Sequence, residues 1–360
     1  MDRRLRIAGI GAAVAFSVWV LTSPSDPLPI PPPPTGGPDG RVEVVADNLE
    51  RPRHLAVSGD DVFVTEREGR IRLVRDGAML EDPVAVLRAA EDFDSGLTGI
   101  AAHPGYSSNG LLYVYLTYQE GGTIYNRIME ILVEDDRLAD ARTILEGIPA
   151  SRFANGGVLK FGPDGMLYVG TGTPSEASHL PQDVESLAGK ILRIHPDGSI
   201  PSDNPFPGSP VYSLGHRNPR GMDWDASGQL YMVEAGPEKN DEINRIVPGG
   251  NYGWPESECG GEHLGALVCY DPAIEPGGMV FSAGAAASEG NAVLASMRAA
   301  GLFELDVDEG LPSQTTLLGG VGRIRDVVQA PDGALYVITS NTDGKGFPAE
   351  NDDLLLRVLK

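Results

Sequence analysis

The chain has 360 residues and a formal net charge of −23 at pH 7, with 46 Gly and 29 Pro residues. A surface with this charge repels phosphate backbones, so nucleic acid is excluded as a partner. The hydrophobic share of 41% and the lack of a glycine period also exclude a disordered chain and a collagen-like chain.

The N-terminal segment has the pattern of a targeting sequence. Three arginines among the first six residues precede an apolar run over residues 7–21, as in the n-region and h-region of a secretory signal. This run is shorter than the roughly 20 residues that span a bilayer, but no clean cleavage site follows it. Residues 1–23 are therefore predicted to be a signal peptide or a membrane anchor, and residues 24–40 a Pro-rich linker. The rest of the chain is expected outside the cytoplasm, secreted or attached to the membrane through this segment alone.

Six units of similar pattern follow, each with an apolar strand, a turn and a second apolar strand. In the strands β-branched and aromatic residues alternate with small or polar ones, and Pro-Asp-Gly or similar turns end them. The units begin at Leu55, Gly99, Val158, Gly221, Gly278 and Val327. These starts are 44 to 63 residues apart, which is room for one four-stranded blade in each unit.

A repeat of this length in an all-β chain predicts a β-propeller, whose blades surround a central channel. Six units predict six blades and one domain over residues 41–360. The segment 41–49 has strand character and is expected to pair with residues 354–360. This N-terminal strand would complete the last blade and close the ring, which hides both sheet edges.

The chain has two cysteines, Cys259 and Cys269, in a Gly-rich stretch. In an oxidising compartment this spacing favours a local disulfide over the alternative of two buried thiols. Neither cysteine has a His at metal-site spacing, which disfavours zinc.

Two arginine-containing motifs, GHRNP and GRIRD, each fall directly before the first strand of a unit. Equivalent positions in a propeller converge on one end of the channel, so Arg217, Arg323 and Arg325 are predicted to meet there, with Arg298 nearby. Guanidinium groups that converge in an acidic chain favour a strongly anionic ligand, because Arg pairs with carboxylate or phosphate in a bidentate fork. Salt bridges to nearby aspartates are the alternative explanation.

The run GPEKNDEIN offers backbone carbonyls at a Gly-Pro turn and carboxylates at Asp241 and Glu242. Hard cations such as Ca²⁺ take oxygen ligands of both kinds. A solvated acidic turn explains the same residues equally well, so spacing alone leaves the choice open.

A series of motifs in matching order identifies a resemblance: NGG with FGPDG.LYVGTG, then SLAGKILRI, GHRNP, DEIN, NYGWP and GRIRD. Over about residues 41–360 the chain resembles the glucose/sorbosone dehydrogenase family, secreted six-bladed propellers similar to soluble quinoprotein glucose dehydrogenase and bacterial aldose sugar dehydrogenases. The resemblance implies oxidation of an aldose or related polyol. Hydride would pass to pyrroloquinoline quinone, and electrons would pass on to an external acceptor.

The resemblance also implies which residues hold the quinone. Its carboxylates would be held by Arg217, Asn218, Arg323 and Arg325. Arg298 stands where the family has a Lys that reaches the quinone, which keeps the charge but changes the shape.

A metal role for the DEIN region follows from the same resemblance. The Ca²⁺ that polarises the quinone would be held by the carbonyl oxygens of Gly236 and Pro237. Asp241, Glu242 and Tyr252 match a structural Ca²⁺ site of the family.

The chain departs from the family at its catalytic centre. The general base of the family is a His, and this sequence has Ala154 at that position. Asp94 replaces a family Gln, and an aromatic residue expected before the fifth unit is missing. His216 and Asp94 are candidate substitutes for the base, although a His in a tight turn is typically structural. The alternative is a degenerate propeller that binds a carbohydrate or another ligand without turning it over.

Overall fold

A computed structural model describes residues 41–307 and 314–359. The predicted signal or anchor (residues 1–23) and the linker (residues 24–40) lie outside these residues. Within the described ranges, no helix has the length and the apolar character to cross a bilayer.

The described residues form a strand β1 followed by six antiparallel sheets, here called blades 1 to 6. The first strands are β1 (Val42–Ala46), β2 (Pro52–Ser58), β3 (Asp61–Glu66), β4 (Arg70–Arg75), β5 (Ala78–Met79) and β6 (Ala85–Val86). Blade 1 has the order β2-β3-β4-β5, and β6 also pairs with β4. The elements of blade 2 are β7 (Leu97–Ala102), α1 (Tyr106–Asn109), β8 (Leu111–Glu120), β9 (Thr123–Glu134) and β10 (Arg137–Pro149).

The remaining blades follow the same plan, with the first strand of each unit innermost. Blade 3 consists of β11 (Gly156–Phe161), β12 (Leu167–Thr171), β13 (Lys190–Ile194) and β14 (Val211–Leu214), with 3₁₀ turns at Ser175–Ala177 and Leu180–Gln182. Blade 4 consists of β15 (Pro219–Trp224), β16 (Leu230–Glu234), β17 (Asp241–Ile246) and β18 (Val268–Tyr270). Blade 5 consists of β19 (Pro276–Phe281), β20 (Ala292–Ser296), β21 (Gly301–Leu305) and β22 (Gln314–Gly319). Blade 6 contains β23 (Ile324–Gln329), β24 (Leu335–Thr339) and β25 (Leu355–Val358).

The predicted all-β, six-bladed propeller is confirmed, and so is the closure of its ring. Strand β1 pairs with β25 on the outside of blade 6, with Val42 opposite Val358. The two ends of the domain are therefore held together by a sheet ladder, and β1 covers the outer edge of β25.

The core lies between neighbouring blades. In one cluster, Phe63 and Leu73 of blade 1 pack with Leu112 and Ile131 of blade 2, and all four are fully buried. Another cluster joins Leu355 and other residues of blade 6 to blade 1. A blade buries its sheet faces only through its neighbours, so the ring stabilises itself by stacking.

The inner strands approach each other so closely that some positions require glycine. A Cβ added at Gly99 of β7 would lie 1.8 Å from the carbonyl oxygen of Gly157 in blade 3. A Cβ at Gly278 of β19 would lie 1.7 Å from the Asp326 carboxylate in blade 6. These distances are far below contact distance, so the blades would have to move apart.

We expect Gly99→Ala to lower the free energy of unfolding by about 1–3 kcal/mol, because overpacking a rigid contact forces backbone shifts. Gly319→Ala is the matched control, since its added Cβ has only an ordinary contact, 3.9 Å from Thr316 on the outer strand of blade 5. Urea unfolding of both variants measures the difference. Equal losses in the two variants would contradict this account of the blade contact.

Candidate functional site

Three buried arginines meet at the end of the channel where the inner strands begin. Arg53, Arg220 and Arg325 are each the second residue of an inner strand, in blades 1, 4 and 6. Each residue is less than 10% exposed. Burial lowers the pKa of Arg53, and the nearby charge of Arg220 lowers it further. In blades 3 and 5 the same strand position is Gly157 and Gly277, where an added Cβ would lie 2.3 Å from Thr98 Oγ1 and 2.0 Å from the Arg325 carbonyl oxygen, so the neighbouring blades pack closely there.

Asp94 supplies a carboxylate to this cluster. Its oxygens lie 3.6 Å from Nη1 of Arg53 and 3.3 Å from Nη2 of Arg220. Burial alone would raise the pKa of Asp94, but the charges of Arg220 and Arg53 outweigh it and hold the pKa well below its ordinary value. Asp94 therefore stays ionised at neutral pH, and it is a weak proton acceptor.

Arg325 has no carboxylate partner among the described residues. The one hydrogen bond of its guanidinium is from Nη1 to the sulfur of Met297, at 3.4 Å. Burial, and then the charges of Arg53 and Arg220, bring the pKa of Arg325 well below its usual value. Asp94 thus contacts two of three neighbouring buried guanidinium groups, and the excess of positive charge favours an anionic ligand.

Arg323 is salt-bridged, but to Glu275 and Asp343 rather than to Asp326, Asp223 or Asp241, the partners considered as the alternative. Its Nη1 lies 3.0 Å from Glu275 and its Nη2 lies 3.3 Å from Asp343, while Lys345 also binds Glu275, at 3.1 Å. Arg298 is exposed on the turn after β20, one residue beyond the Met297 that contacts Arg325.

The GHRNP motif borders the cluster from the side of blade 4. Nη1 of Arg217 donates to the carbonyl oxygens of Ala235 (2.7 Å) and Gly236 (2.6 Å), and its guanidinium lies over the ring of Trp254. Oδ1 of Asn218 accepts the backbone N–H of Gly156 from blade 3 (3.1 Å). Arg217 is therefore held by neutral groups that a carboxylate could replace.

Two predicted calcium ligands have other roles in the structure. The Gly236 carbonyl oxygen already accepts a hydrogen bond from a cation, the Arg217 guanidinium, and Pro237 is exposed. Asp241 does not face a metal pocket: it accepts backbone N–H groups from Gly236 (2.8 Å), and from Ile274 (2.7 Å) and Glu275 (2.8 Å). Its carboxylate ties the start of β17 to the segment before β19, and its role as a calcium ligand stays a prediction.

Glu242 and Tyr252 do line one pocket, together with Glu234 and Glu258. Burial, and then the charge of Glu234, raise the pKa of Glu242 to about 7. Two buried oxygens of the pocket lining have no hydrogen-bond partner, Oγ of Ser257 and Oε1 of Glu258, and neither has Oδ1 of Asn244, whose Nδ2 binds Glu234 and Glu242. Unpartnered oxygens of this kind suit a hard cation.

Side chains alone do not complete a metal site in the described part of the chain. No group of three or more His, Cys, Asp or Glu residues is arranged there to hold a metal ion. The hydroxyl of Tyr252 is also occupied, because it donates to the carbonyl of Arg245 (2.6 Å) and accepts from the N–H of Val247 (3.0 Å). A cation in this pocket would therefore also need backbone oxygens or water as ligands.

The cysteines are joined, with 5.7 Å between the Cα atoms of Cys259 and Cys269. The bond links the loop after NYGWP to strand β18. The backbone N–H of Cys259 donates to Oε1 of Glu242 at 2.6 Å. The disulfide thus holds this loop against the acidic pocket.

His216 cannot serve as a base for a bound substrate, because it is fully buried. Its Nδ1 lies 3.1 Å from Glu234 and its Nε2 lies 2.8 Å from the hydroxyl of Ser213. Its ring stacks on Tyr252 with 4.8 Å between centroids. Both ring nitrogens are used, so the residue is structural.

Ala154 lies at the start of blade 3, next to a side chain that is fully occupied. Oδ1 of Asn155 accepts from the N–H of Ser151 (3.0 Å) and from Nδ2 of Asn126 (3.3 Å). Ala154 itself is buried and has a positive φ of 55°. The position therefore offers backbone strain but no titratable group.

Sequence analysis did not identify Arg53 and Arg220. A usable signal was present, because in three units an Arg stands two residues before the first large apolar residue: Arg53 before Leu55, Arg220 before Met222, and Arg325 before Val327. Of these three arginines, only Arg325 lies in one of the two arginine-containing motifs.

We expect Asp94→Asn to lower the free energy of unfolding of the ligand-free protein by about 3 kcal/mol, because it removes the carboxylate from buried arginines. Asp92→Asn is the matched control, since the Asp92 side chain is 52% exposed and its ion pair with Arg152 is on the surface. Urea unfolding at pH 7 measures both. A loss below 1 kcal/mol in Asp94→Asn would mean that the arginines do not depend on this carboxylate.

Comparison with known proteins agrees with this architecture. The sequence profile of the family described as Glucose / Sorbosone dehydrogenase matches residues 49–357. The structure of a PQQ-bound aldose sugar dehydrogenase from Streptomyces coelicolor is 36% identical, with a TM-score of 0.79, and the match covers 88% of this chain and 97% of that one. Aldose sugar dehydrogenase YliI of Escherichia coli is 29% identical over 84% of this chain and 91% of its own length. Quinoprotein glucose dehydrogenase B of Acinetobacter calcoaceticus is 34% identical over 59% and 52%. The resemblance drawn from the motifs is thereby confirmed, and the chain belongs to the glucose/sorbosone dehydrogenase family.

Proposed function

We propose that this protein is an oxidoreductase that uses pyrroloquinoline quinone to oxidise an aldose or a related polyol, and that it works slowly. The observation that carries the proposal is the convergence of three buried arginines, Arg53, Arg220 and Arg325, at the end of the channel, where Asp94 contacts only the first two. Relatives that are named as sugar dehydrogenases, one of them in a quinone-bound structure, support it.

The arginine cluster fits a ligand with three carboxylates. Arg325 lacks an anionic partner, and the buried Nε atoms of Arg53 and Arg220 have no hydrogen-bond partner. Arg217 and Asn218 border the same end of the channel. Together with Arg323, these residues would hold the cofactor, and the guanidinium forks would fix its orientation. When bound, the quinone supplies an acceptor for the hydride of the substrate.

Calcium is the second cofactor that we propose. The unpartnered oxygens of Asn244 and Glu258 and the carboxylate of Glu242 suit a hard cation in the pocket beneath the disulfide loop. Calcium at the carbonyls of Gly236 and Pro237 is compatible only with an Arg217 that has released Gly236, because two cations repel each other at one oxygen. A cofactor carboxylate would offer Arg217 that alternative partner.

Among the described residues, none of the three candidate positions provides a suitable acceptor for the proton of the substrate hydroxyl. Ala154 cannot titrate, His216 is buried and engaged, and Asp94 is held in its ionised form by arginines. A positioned general base contributes about 10²–10⁴-fold to a rate, so its absence implies slow turnover. The same observation favours the second candidate, a propeller that binds a sugar without oxidising it.

The N-terminal segment supports a location outside the cytoplasm, and a Cys259–Cys269 bond suits an oxidising compartment. There the reduced cofactor would pass its electrons to an external acceptor.

We expect the unaltered protein, loaded with pyrroloquinoline quinone and Ca²⁺, to reduce a dye only slowly with a panel of aldoses. Ala154→His should raise the rate nearer to ~10²-fold than ~10⁴-fold, because a base without its supporting residues is poorly aligned. Ala154→Gln is the control, since it adds bulk without a titratable group.

Quinone binding is measured separately, by absorbance titration. Arg323→Ala combined with Arg325→Ala should weaken it by several kcal/mol, at about 1.5–3 kcal/mol for each bond to a charged group. Rapid oxidation by the unaltered protein would contradict the account of Ala154. Quinone binding that is unchanged in the double variant would contradict the proposed function.

We also expect the calcium-free protein to lose stability as the pH rises from about 4.5 to 7. Burial raises the pKa of Glu242 to about 7, so the folded state holds a proton there that the unfolded state has already released. The protonated Glu242 contributes its full stabilisation below the pKa that it has in the unfolded chain. This stabilisation is lost as the pH rises through the pKa of the folded state, about 7. Glu242→Gln should reduce this slope, and Ca²⁺ should raise the melting temperature more at pH 7.5 than at pH 5. Equal effects of Ca²⁺ at both pH values would argue against a site at Glu242.

A further inference from the structure

We propose that Phe93, Phe153 and Arg152 form a subsite for a second sugar unit, so that the preferred substrate is an oligosaccharide rather than a monosaccharide. This inference rests on the proposed function, because it places the subsite beside the reacting sugar. The three side chains are called the aromatic platform below.

The aromatic platform is an ordered stack on the surface. The rings of Phe93 and Phe153 have centroids 5.1 Å apart and planes at 55°, and the guanidinium carbon of Arg152 lies 4.0 Å from the Phe93 centroid. The rings remain 50% and 44% exposed. Large apolar side chains that touch each other and still face solvent mark a surface for binding.

Two loops are fastened together to build this stack. The N–H of Asp94 donates to the carbonyl of Arg152 at 3.0 Å, and a guanidinium nitrogen of Arg67 binds the carbonyl oxygen of Phe93. Phe93 and Ala154 both have positive φ angles, of 52° and 55°. Such conformations are costly for residues other than glycine, and they cluster where function requires a fixed geometry.

The aromatic platform adjoins the candidate site on both loops. Phe93 precedes Asp94, whose carboxylate contacts Arg53 and Arg220 at the end of the channel. Phe153 precedes Ala154, the position of the missing base. A ligand that reaches from the arginine cluster to the surface on this side therefore meets the two rings.

A sugar ring suits this surface better than a planar aromatic molecule does. The two ring planes are inclined at 55° to each other, so they offer no single flat face, and the C–H face of a pyranose can rest on one exposed ring. At its edge, Arg152 and Asp92 form an exposed ion pair at 2.9 Å, which offers donors and acceptors to hydroxyl groups. Apolar rings with a few placed polar groups are the usual composition of a small-molecule site.

A second contact for the substrate should raise the rate of oxidation as well as the affinity. Binding energy from the part of a substrate that does not react can hold the reacting part in place, and shortened substrates then lose kcat as well as affinity. In a chain without a base at residue 154, accurate placement of the reacting hydroxyl is the remaining means of promoting its oxidation. Longer substrates should therefore be turned over faster.

The binding experiment uses methyl β-maltoside, methyl β-cellobioside and methyl β-glucoside, whose capped anomeric carbons prevent oxidation there. Calorimetry with the quinone- and calcium-loaded protein should show at least one disaccharide glycoside binding at least fivefold more tightly than the monosaccharide glycoside. Phe93→Ala should abolish this preference, and Phe93→Trp should retain it. Val86→Ala, an exposed apolar side chain on the outer strand β6, is the control and should leave the preference unchanged.

The activity experiment compares kcat/KM for maltose and cellobiose with that for glucose in the same variants. A fivefold preference for a disaccharide that Phe93→Ala removes supports the subsite. If glucose is oxidised but no disaccharide is bound more tightly, the subsite is refuted and the proposed function stands. If no sugar is oxidised while a disaccharide glycoside still binds in a Phe93-dependent way, the proposed function fails and the subsite stands.

Discussion

The structure of the site depends on one carboxylate, Asp94, which lies against two of three buried guanidinium groups. Without an anion, Arg53, Arg220 and Arg325 would bring like charges together away from water, at a cost of several kcal/mol for each ion. Asp94 offsets part of this cost. The packing of the propeller, which fixes each arginine at the start of a different inner strand, offsets the rest. Because one carboxylate cannot neutralise three cations, the cluster keeps an excess of positive charge that favours an anion.

The ring of blades explains why residues that are far apart in the sequence lie in one cluster. Arg53 and Arg325 are far apart in sequence, yet strand β1 closes the ring and makes their blades neighbours. Close packing of the inner strands depends on glycines such as Gly99, where any side chain would meet the backbone of the next blade. Gly157 and Gly277 occupy the strand position that carries an arginine in blades 1, 4 and 6, and there too an added Cβ would meet a neighbouring blade, at Thr98 and at the backbone of Arg325.

Most of the fold could be predicted from the sequence, whereas the site could be predicted only in part. The repeated strand–turn–strand pattern is local, so blade number and ring closure follow from periodicity. Each inner strand begins two or three residues before its apolar pattern, in a stretch where its register is irregular, and Arg53 was missed there. The hydrogen-bond partners of a carboxylate also depend on residues that are distant in the sequence. Asp241 turns to the N–H groups of Ile274 and Glu275, which lie more than 30 residues further along the chain.

Two of the departures from the family, Asp94 and Ala154, lie on neighbouring loops and are coupled. Ala154 and Phe153 are adjacent on one loop, Asp94 and Phe93 are adjacent on the other, and a backbone hydrogen bond joins the two loops. A carboxylate at residue 94 that pairs with Arg53 and Arg220 is a weak base, so it does not compensate for the absent His. The same loops turn two aromatic rings toward solvent. In the proposed function, the loops that lack the base of the family would hold part of the substrate instead, and turnover would depend on how firmly the substrate is placed.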